Sequence, residues 1–235
     1  MAAVGPLQND ILAALPQSEL DLLLPHLEFV HLPFDKELYA YGDNLSHVYF
    51  PTTAIVALLY VLADGDVTEI SVTGHEGMLG ISSLMGQTAM GTAMVQSAGS
   101  AYRLPASVLQ KACANGGKLQ QLIMRYTQAL LSQMAQNSVC GRHYSIDQQL
   151  SRWLLDRIDR LPGNELKVTQ EMIANMLGVR RESVTEAAGK LQNEGLIHYK
   201  RGNITVLDRE GLEIYAGECY RVAKQEFDRI LSSNM

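Results

Sequence analysis

Several features that would define a class of protein are missing from this sequence. No apolar run approaches the ~20 residues of a membrane-spanning helix, and the start, MAAVGPLQND, lacks the cationic residues and apolar stretch of a signal peptide. The cysteines, Cys113, Cys140 and Cys219, are odd in number and far apart, so they form no metal or haem spacing. We interpret them as reduced thiols, and we expect a cytoplasmic protein that does not contact a membrane.

Catalytic signatures are also absent from the sequence. It has no nucleophile elbow, Walker loop or H-E-x-x-H pair, and an iron–sulfur cluster would need a fourth cysteine. His26, His31, His47 and His75 are available as axial ligands of haem, but a lone histidine in a small β domain is more often structural. We expect no cofactor, no metal and no enzyme activity. A cupin-like metal enzyme stays an alternative, although His75-Glu76 is only a turn dipeptide.

Charge is scarce and unevenly distributed. The net charge is −6, which argues against a protein that coats nucleic acid without specificity. The acidic excess lies mainly before residue 146, whereas Arg180, Arg181, Lys200 and Arg201 follow later. Such a local patch of cations can face DNA whatever the total charge.

Short strands dominate the sequence between about Leu27 and Leu104. The candidate strands are LEFVHL, ELYAY, HVYF, AIVALLYVLA, VTEISVT, AMVQSA and AYRL. Many short strands at close spacing predict a small antiparallel barrel or jelly roll. One or two short helices are expected before it over residues 6–24, with Ser18 as an N-cap, and Pro105 is expected to open another helix.

A long helix is predicted from Lys118 to about Val139, with a hinge at residues 141–143. Its stripe of apolar and polar residues is too long for a lone surface helix, so we interpret it as a dimerisation helix, with an intramolecular core helix as the alternative. The expected dimer seam comprises Leu119, Leu122, Ile123, Tyr126, Leu130 and Met134. Further helices are predicted over residues 146–160 and 209–232.

The segment from Val168 to Leu196 carries the pattern of a helix-turn-helix. Thr169 can cap a first helix that stops at Gly178, and a second helix starts near Arg181. The apolar face of the second helix comprises Val184, Ala187, Ala188 and Leu191, and its polar face comprises Glu182, Thr185, Glu186 and Gly189. HYKRGNITVLD then predicts a basic hairpin, which is typical of a wing that contacts phosphate. A plain αα-hairpin and a helix-turn-helix used for protein contact remain alternatives.

The order of strands, long helix and winged helix-turn-helix resembles the Crp/Fnr family of bacterial transcription regulators over nearly the whole chain. The resemblance is most specific in residues 168–206, where T-x-x-x-I-A-x-x-L-G-V-x-R-E-S-V is similar to the family's DNA-binding signature. It implies an α+β fold with a jelly-roll-like antiparallel β-roll sensor (1–117), a dimerisation helix (118–141) and a winged helix-turn-helix with a C-terminal helix (142–235). The implied partners are a second copy of the chain, a two-fold symmetric site on double-stranded DNA, RNA polymerase and an unidentified small-molecule effector.

The same resemblance suggests which residues contact DNA. Arg181 and Glu182 fall on the family's R-E pair, where Arg fits guanine O6 and N7 and Glu can accept from a cytosine amino group. Many relatives carry Arg where this chain has Glu186, so its half-site is expected to differ; a solvated helix face is the alternative for both acidic residues. The candidate DNA-binding residues are Thr169, Gln170, Arg180, Arg181, Glu182, Ser183, Thr185, Glu186, Lys200 and Arg201.

The sensor part departs from the family's cyclic AMP pocket. Relatives that bind this nucleotide use G-E-L-[AG] and R-[ST]-A, whereas the corresponding residues here are Gly77, Met78, Leu79 and Gly80, then Gly91, Thr92 and Ala93. The carboxylate for the ribose and the guanidinium for the phosphate are both missing. A desolvated phosphate without a cation costs several kcal/mol, so we expect a degenerate pocket that does not bind cyclic AMP in the usual way.

Overall fold

The computed structural model describes residues 5–63, 65–114 and 116–232. Its N-terminal part contains helices α1 (Asp10–Ala13) and α2 (Gln17–Leu23), strands β1 (Glu28–Leu32), β2 (Glu37–Tyr39), β3 (His47–Pro51), β4 (Ile55–Val61), β5 (Val67–Thr73), β6 (Thr92–Ser97) and β7 (Gly99–Pro105), and helix α3 (Ala106–Cys113). All the strands expected from the sequence are present in this region. The fold class is α+β, as predicted.

The N-terminal strands form two antiparallel sheets of a β-roll. Their strand orders are β1-β7-β3 and β2-β6-β4-β5. The alternation of apolar and polar residues places one side of each strand in a shared interior. The buried cluster there comprises Leu32, Ala54, Val56, Leu79, Ala93, Val95 and Ala101.

The C-terminal part is mainly helical. It begins with α4 (Lys118–His143) and α5 (Ile146–Ile158) and continues with strand β8 (Glu165–Lys167), helices α6 (Gln170–Leu177) and α7 (Arg181–Asn193), strands β9 (Ile197–Lys200) and β10 (Asn203–Val206), and helices α8 (Arg209–Ala216) and α9 (Glu218–Ser232). The three strands form an antiparallel sheet in the order β8-β10-β9. Among the described residues, no helix combines the length and apolar character needed to cross a bilayer.

The chain divides into two compact units. The first unit comprises Met1–Tyr60 and Val72–Ala129, and the second comprises Val61–Ser71 and Leu130–Met235. The second unit therefore includes the tip of the β4–β5 hairpin as well as the winged helix-turn-helix. Its core includes Leu154, Ile173, Val184 and Ile204, each of which is fully buried.

Several local predictions are wrong. Pro16, not Ser18, stands at the N-cap of α2, because proline fixes the backbone just before the first turn. α4 continues through His143, so residues 141–143 are helix rather than a hinge, and α5 starts after Ser145. The C-terminal helix is split at Gly217, whose φ of +60° interrupts the helical backbone.

The predicted dimer seam is also wrong at four positions. Leu119, Leu122, Ile123 and Tyr126 are at most 4 % exposed within the single chain. The Tyr126 hydroxyl lies 2.9 Å from Thr73 Oγ1, so it packs on the chain's own β-roll. These side chains cannot form a seam with a second copy. Leu130 and Met134 are half-buried.

The interpretation of all the cysteines as reduced thiols is contradicted at one pair. Cys140 of α4 and Cys219 of α9 form a disulfide, whereas Cys113 is free and buried. Seventy-nine positions separate the two bonded residues, which is why sequence spacing did not reveal the pair. Their proximity depends on the packing of the second unit.

Candidate nucleic-acid interface

Two short helices and a tight turn form the centre of the candidate interface. The Thr169 side chain accepts a hydrogen bond from the backbone N–H of Met172 (3.2 Å) and caps α6, as predicted. Gly178, with φ +65°, ends this helix. Arg180 stands at the N-cap of α7 and makes no capping hydrogen bond with its side chain. The N-terminus of α7 therefore keeps unpaired backbone donors beside a cation, an arrangement suited to an anion.

The second helix of the pair, α7, has the two faces expected from the sequence. Its buried side comprises Val184, Ala187, Ala188 and Leu191, and its exposed side includes Arg181, Glu182, Thr185, Glu186 and Gly189. The buried side packs into the core of the second unit, so the polar side is held outward. This is the arrangement that a helix needs to enter a major groove.

The basic hairpin predicted beside α7 is a two-residue turn between β9 and β10. Lys200 and Asn203 face each other across it. The two central residues, Arg201 and Gly202, have φ of +50° and +79°, the positive values that a type I′ turn requires. Lys200 and Arg201 are both exposed at the tip.

Hydrogen bonds connect the hairpin, the first helix and the second helix. The backbone N–H of Val168 donates to the carbonyl of Gly202 (2.8 Å), which fixes the start of α6 to the tip of the hairpin. The Thr185 hydroxyl lies 2.8 Å from Gln170 Oε1 and 3.1 Å from the carbonyl of Arg181. The three segments predicted to contact DNA therefore lie together on one surface.

The far end of α7 is anchored by a polar cluster. Lys190 Nζ donates to Asp147 Oδ2 of α5 (2.5 Å), and the Tyr215 hydroxyl of α8 donates to the same oxygen (3.0 Å). Burial would raise the pKa of Asp147, but the hydrogen bonds from Lys190, Ser145 and Tyr215 outweigh it and lower this pKa to about 2. The aspartate is thus ionised at neutral pH and holds α7 against two neighbouring helices.

All ten candidate DNA-binding residues are exposed or half-buried, and none is enclosed in the core. The structure adds one cation to this surface that sequence reasoning missed. Lys167 of β8 is exposed and pairs in register with Asn203 next to the tip of the hairpin. The three-residue strand β8 is too short for an alternation signal, so the sequence alone did not place this lysine beside the hairpin.

The residues of the predicted effector pocket are closely packed. Met78 and Leu79 are 1 % and 4 % exposed. A Cβ on Gly77 would lie 2.2 Å from the Tyr126 ring, and one on Gly91 would lie 2.7 Å from the carbonyl of Leu59. Thr92 Oγ1 accepts from a backbone N–H at 3.3 Å, Ala93 is fully buried and Gly80 has φ +90°. These positions offer neither an ionised group nor an exposed polar one to a nucleotide.

Three of the four histidines considered as haem ligands, His31, His47 and His75, make contacts with neighbouring side chains. His47 Nδ1 lies 2.9 Å from Ser46 Oγ, and His75 Nδ1 lies 3.1 Å from Asp10 Oδ2. His31 makes an edge contact with the Phe29 ring, with 4.9 Å between the centroids. In the part of the chain that the structure describes, no three His, Cys, Asp or Glu side chains come together as metal ligands would.

Comparisons with known proteins agree with this architecture. Residues 148–215 match the model of the Crp-like helix-turn-helix domain. The chain is 21% identical to electron transport regulator A of Shewanella oneidensis over 80% of its length and 78% of that protein. It shares its fold with FixK2 of Bradyrhizobium japonicum (18% identity, 81% and 98% of the two chains covered, TM-score 0.71). The chain also shares its fold with a CRP-family transcriptional regulator of Thermus thermophilus (19% identity, 80% and 96% of the two chains covered, TM-score 0.67).

Residues 148–215 therefore form a Crp-like helix-turn-helix domain, and the chain has the fold of regulators of the Crp/Fnr type.

Proposed function

We propose that this protein binds a two-fold symmetric site on double-stranded DNA as a homodimer and regulates transcription from it. The observation that carries the proposal is the joining of three exposed segments into one surface. The Val168–Gly202 and Thr185–Gln170 hydrogen bonds hold the hairpin, the start of α6 and the polar face of α7 together. A cupin-like enzyme or a protein-contact module has no comparable support.

We assign base reading to the start of α7 and phosphate contact to the hairpin. Arg181 is exposed in the first turn of α7, where a side chain can reach guanine O6 and N7, and Glu182 follows it on the exposed face. Lys200, Arg201 and Lys167 are exposed cations that can contact phosphates, which position a protein without reading sequence. Gln170 can contact the backbone through its amide nitrogen while its oxygen is bonded to Thr185.

We propose a dimer seam on the outward face of α4 in place of the buried residues. Gln121, Met124, Gln128, Leu131, Ala135 and Ser138 are all exposed. Their spacing alternates between three and four residues, which keeps them in one stripe along a helix and is the pattern of a coiled-coil seam. Met124 and Leu131 are 66 % and 62 % exposed, so two large apolar side chains would be covered by a second copy. Met134 flanks this stripe.

The remaining assignments follow from the same organisation. We propose residues 1–117 as a sensor domain, 118–141 as the dimerisation helix and 142–235 as the DNA-binding domain, with a degenerate pocket and an effector that is not cyclic AMP. RNA polymerase is the expected partner at the promoter. Residues 77–80 and 91–93 supply no carboxylate or guanidinium, so saturating cyclic AMP should leave the melting temperature unchanged.

The test is selection of bound sequences from a random DNA pool, followed by affinity measurements across a salt series. Wild type should select a palindromic motif and lose affinity steeply as salt rises, because bound phosphates release counterions. Arg181→Ala should cost ~1–3 kcal/mol per half-site and relax the preference at one base pair. Lys200→Ala should weaken all sequences about equally and flatten the salt slope by about one unit.

Lys111→Ala is the matched control, because this exposed lysine belongs to α3 in the first unit. It should change neither the motif nor the salt slope. Loss of the motif in Lys200→Ala with an unchanged motif in Arg181→Ala would reverse the assigned roles. Absence of any selected sequence for the wild type would refute the proposed function.

A further inference from the structure

The disulfide between Cys140 and Cys219 connects helices α4 and α9 in the second unit. Cys140 is three residues before the end of α4 at His143, and Cys219 is the second residue of α9. Their Cα atoms are 5.9 Å apart, within the range that a disulfide spans without moving the backbone. The bond therefore joins the helix that leads into the winged helix-turn-helix to the helix that follows it.

A buried guanidinium group lies against this sulfur pair. Arg152 of α5 is 5 % exposed, and its Nη1 lies 3.8 Å from Cys219 Sγ. Its Nη2 donates to Asn137 Oδ1 of α4, and its Nε lies 3.6 Å from Asp156 Oδ2. A cation beside a cysteine stabilises the thiolate relative to the thiol. The thiolate is the form that attacks a disulfide and the form that is released from one.

The third cysteine has the opposite environment. All three cysteines are buried, but the charge beside Cys113 is the carboxylate of Glu19, and burial together with this carboxylate raises the pKa of the thiol. A carboxylate beside a thiol disfavours the thiolate, whereas a guanidinium favours it, so Cys113 is the less reactive cysteine. The surroundings therefore distinguish a reactive pair from a structural cysteine within one chain.

A regulator bound to chromosomal DNA works in a reducing compartment, where thiols are normally kept reduced. This step rests on the proposed function. Disulfides that do form in such a compartment are usually transient and serve catalysis or redox sensing. A purely structural bond is therefore the less expected role for this pair.

We propose that Cys140 and Cys219 are a reversible thiol–disulfide modification site whose oxidation state controls DNA affinity. The oxidant belongs to the class of low-molecular-weight disulfides. The Cys219 thiolate attacks one sulfur of that disulfide, forms a mixed disulfide and releases one thiolate. The Cys140 thiolate then attacks the Cys219 sulfur, forms the protein disulfide and releases the second thiolate. The two cysteines lose two electrons and two protons, and the external disulfide becomes two thiols.

The neighbourhood of Cys140 explains how its oxidation state reaches the DNA-binding helices. Gly141, Arg142 and His143 are exposed, and a Cβ added to Gly141 would meet nothing within 4 Å. The last turn of α4 is thus free to fray or pivot once the bond to α9 is cut. Arg152 would keep its contacts with Cys219 and Asn137 after reduction, so the change is confined to the freedom of the end of α4 to move relative to α9.

The experiment uses the full-length protein equilibrated in glutathione buffers of stepped oxidised-to-reduced ratio. Free thiols are blocked with N-ethylmaleimide and counted by peptide mass, and the same samples are used for DNA affinity on a selected fragment and for amide deuterium exchange. We expect one cooperative conversion that joins Cys140 to Cys219, an affinity change of about fivefold or more between the two forms, and faster exchange at the end of α4 in the reduced form.

Variants distinguish a redox-controlled disulfide from one that only stabilises the fold. Cys140→Ser, combined with Cys219→Ser to prevent a trapped mixed disulfide, should hold the reduced affinity at every glutathione ratio, and the matched control Cys113→Ser should behave as wild type. Arg152→Lys should keep the charge beside Cys219, whereas Arg152→Gln should slow alkylation of the reduced Cys219 at pH 7. If the double variant Cys140→Ser, Cys219→Ser fails to fold, the wild type in reduced buffer provides the same comparison.

Two results would overturn the inference. One is alkylation of both thiols at every glutathione ratio, which would mean that the bond does not form in solution. The other is a disulfide that forms but leaves DNA affinity and deuterium exchange unchanged. If neither form binds DNA, the proposed function is refuted, and deuterium exchange then tests the switch by itself. A difference in exchange at the end of α4 between the two forms supports the switch. Equal exchange in the two forms overturns it.

Discussion

Arg157 of α5 and Glu69 of β5 form an ion pair in the interior of the second unit. The two side chains are 2 % and 7 % exposed. The guanidinium carbon of Arg157 also lies 3.8 Å from the centroid of the Trp153 ring, which gives a cation–π contact. Glu69 belongs to the tip of the β4–β5 hairpin, and Arg157 belongs to α5. The pair therefore holds this hairpin tip against α5 in the unit that is proposed to bind DNA.

We expect Glu69→Gln to be strongly destabilising. Removing one partner of a buried pair leaves an uncompensated charge, which typically costs about 3–5 kcal/mol. The measurement is the free energy of unfolding from urea denaturation followed by the fluorescence of Trp153, the single tryptophan. The matched control is Glu165→Gln, since Glu165 is exposed on β8, and it should change stability by less than ~0.5 kcal/mol.

A double replacement separates the charge from the packing. Glu69→Leu combined with Arg157→Met exchanges the pair for apolar side chains, which is often neutral or stabilising. It should recover most of the stability lost in Glu69→Gln. Equal loss in the single and double variants would contradict the assignment of that loss to an uncompensated charge.

Asp147 should make the stability of the second unit depend on acid pH. Its folded pKa of about 2 lies below the ~3.9 of an unfolded aspartate. Its contribution is therefore complete above about pH 4 and is lost as the pH falls through the folded value. Wild type should be more stable than Asp147→Asn at pH 6, and the difference between their urea midpoints should shrink steadily below pH 4. A difference that stays constant from pH 6 to pH 3 would contradict this role of the carboxylate.

Leu131→Glu should convert the proposed dimer into a folded monomer. The substitution places a charge in the exposed stripe of α4, where burial against a second copy would desolvate it. Sedimentation should change from about twice 25.9 kDa to the single-chain mass, with an unchanged circular dichroism spectrum. Leu22→Glu is the matched control, because Leu22 on α2 is 65 % exposed and Leu131 is 62 %.

Tyr126→Glu tests the correction to the seam. Tyr126 is fully buried against the β-roll of its own chain, so a charge there should unfold the first unit rather than separate two folded chains. A folded monomer produced by Tyr126→Glu would restore the seam inferred from the sequence.

The sequence pattern correctly predicted helix ends and helix faces that depend on residues close together along the chain. Thr169 and Gly178 define α6 through local capping and a positive φ, and Val184 and Leu191 lie on the buried side of α7 because the helical period places them there. The choice between faces of α4 was wrong because that helix carries two stripes. Periodicity cannot tell whether Tyr126 or Leu131 meets the same chain or another one.

The sequence also did not predict which residues far apart along the chain contact each other. Glu69 and Arg157, like Cys140 and Cys219, meet only after the second unit has packed. Each residue alone has an ordinary interpretation as a surface charge or a reduced thiol. Without covariation between positions, nothing in the sequence joins them.

Arg201→Gly should stabilise the hairpin while weakening DNA binding. Arg201 has φ +50°, a left-handed conformation that costs a non-glycine residue ~1–2 kcal/mol. Glycine relieves that strain but loses ~0.5–1 kcal/mol through its freer unfolded chain, so we expect a net gain of about 0–1.5 kcal/mol. Removing the cation should flatten the salt dependence of DNA affinity by about one unit. Urea denaturation and binding across a salt series measure the two effects.

Lys200→Ala is the matched control for Arg201→Gly, since it removes a neighbouring exposed cation from a strand position without positive φ. It should reduce the salt dependence of binding by a similar amount without the gain in stability. Opposite changes in stability and affinity in Arg201→Gly alone would show that arginine is kept at a strained position for its charge. An unchanged salt slope in Arg201→Gly would instead mean that the hairpin tip does not contact phosphate, and that the assignment of this hairpin as a DNA-binding wing is wrong.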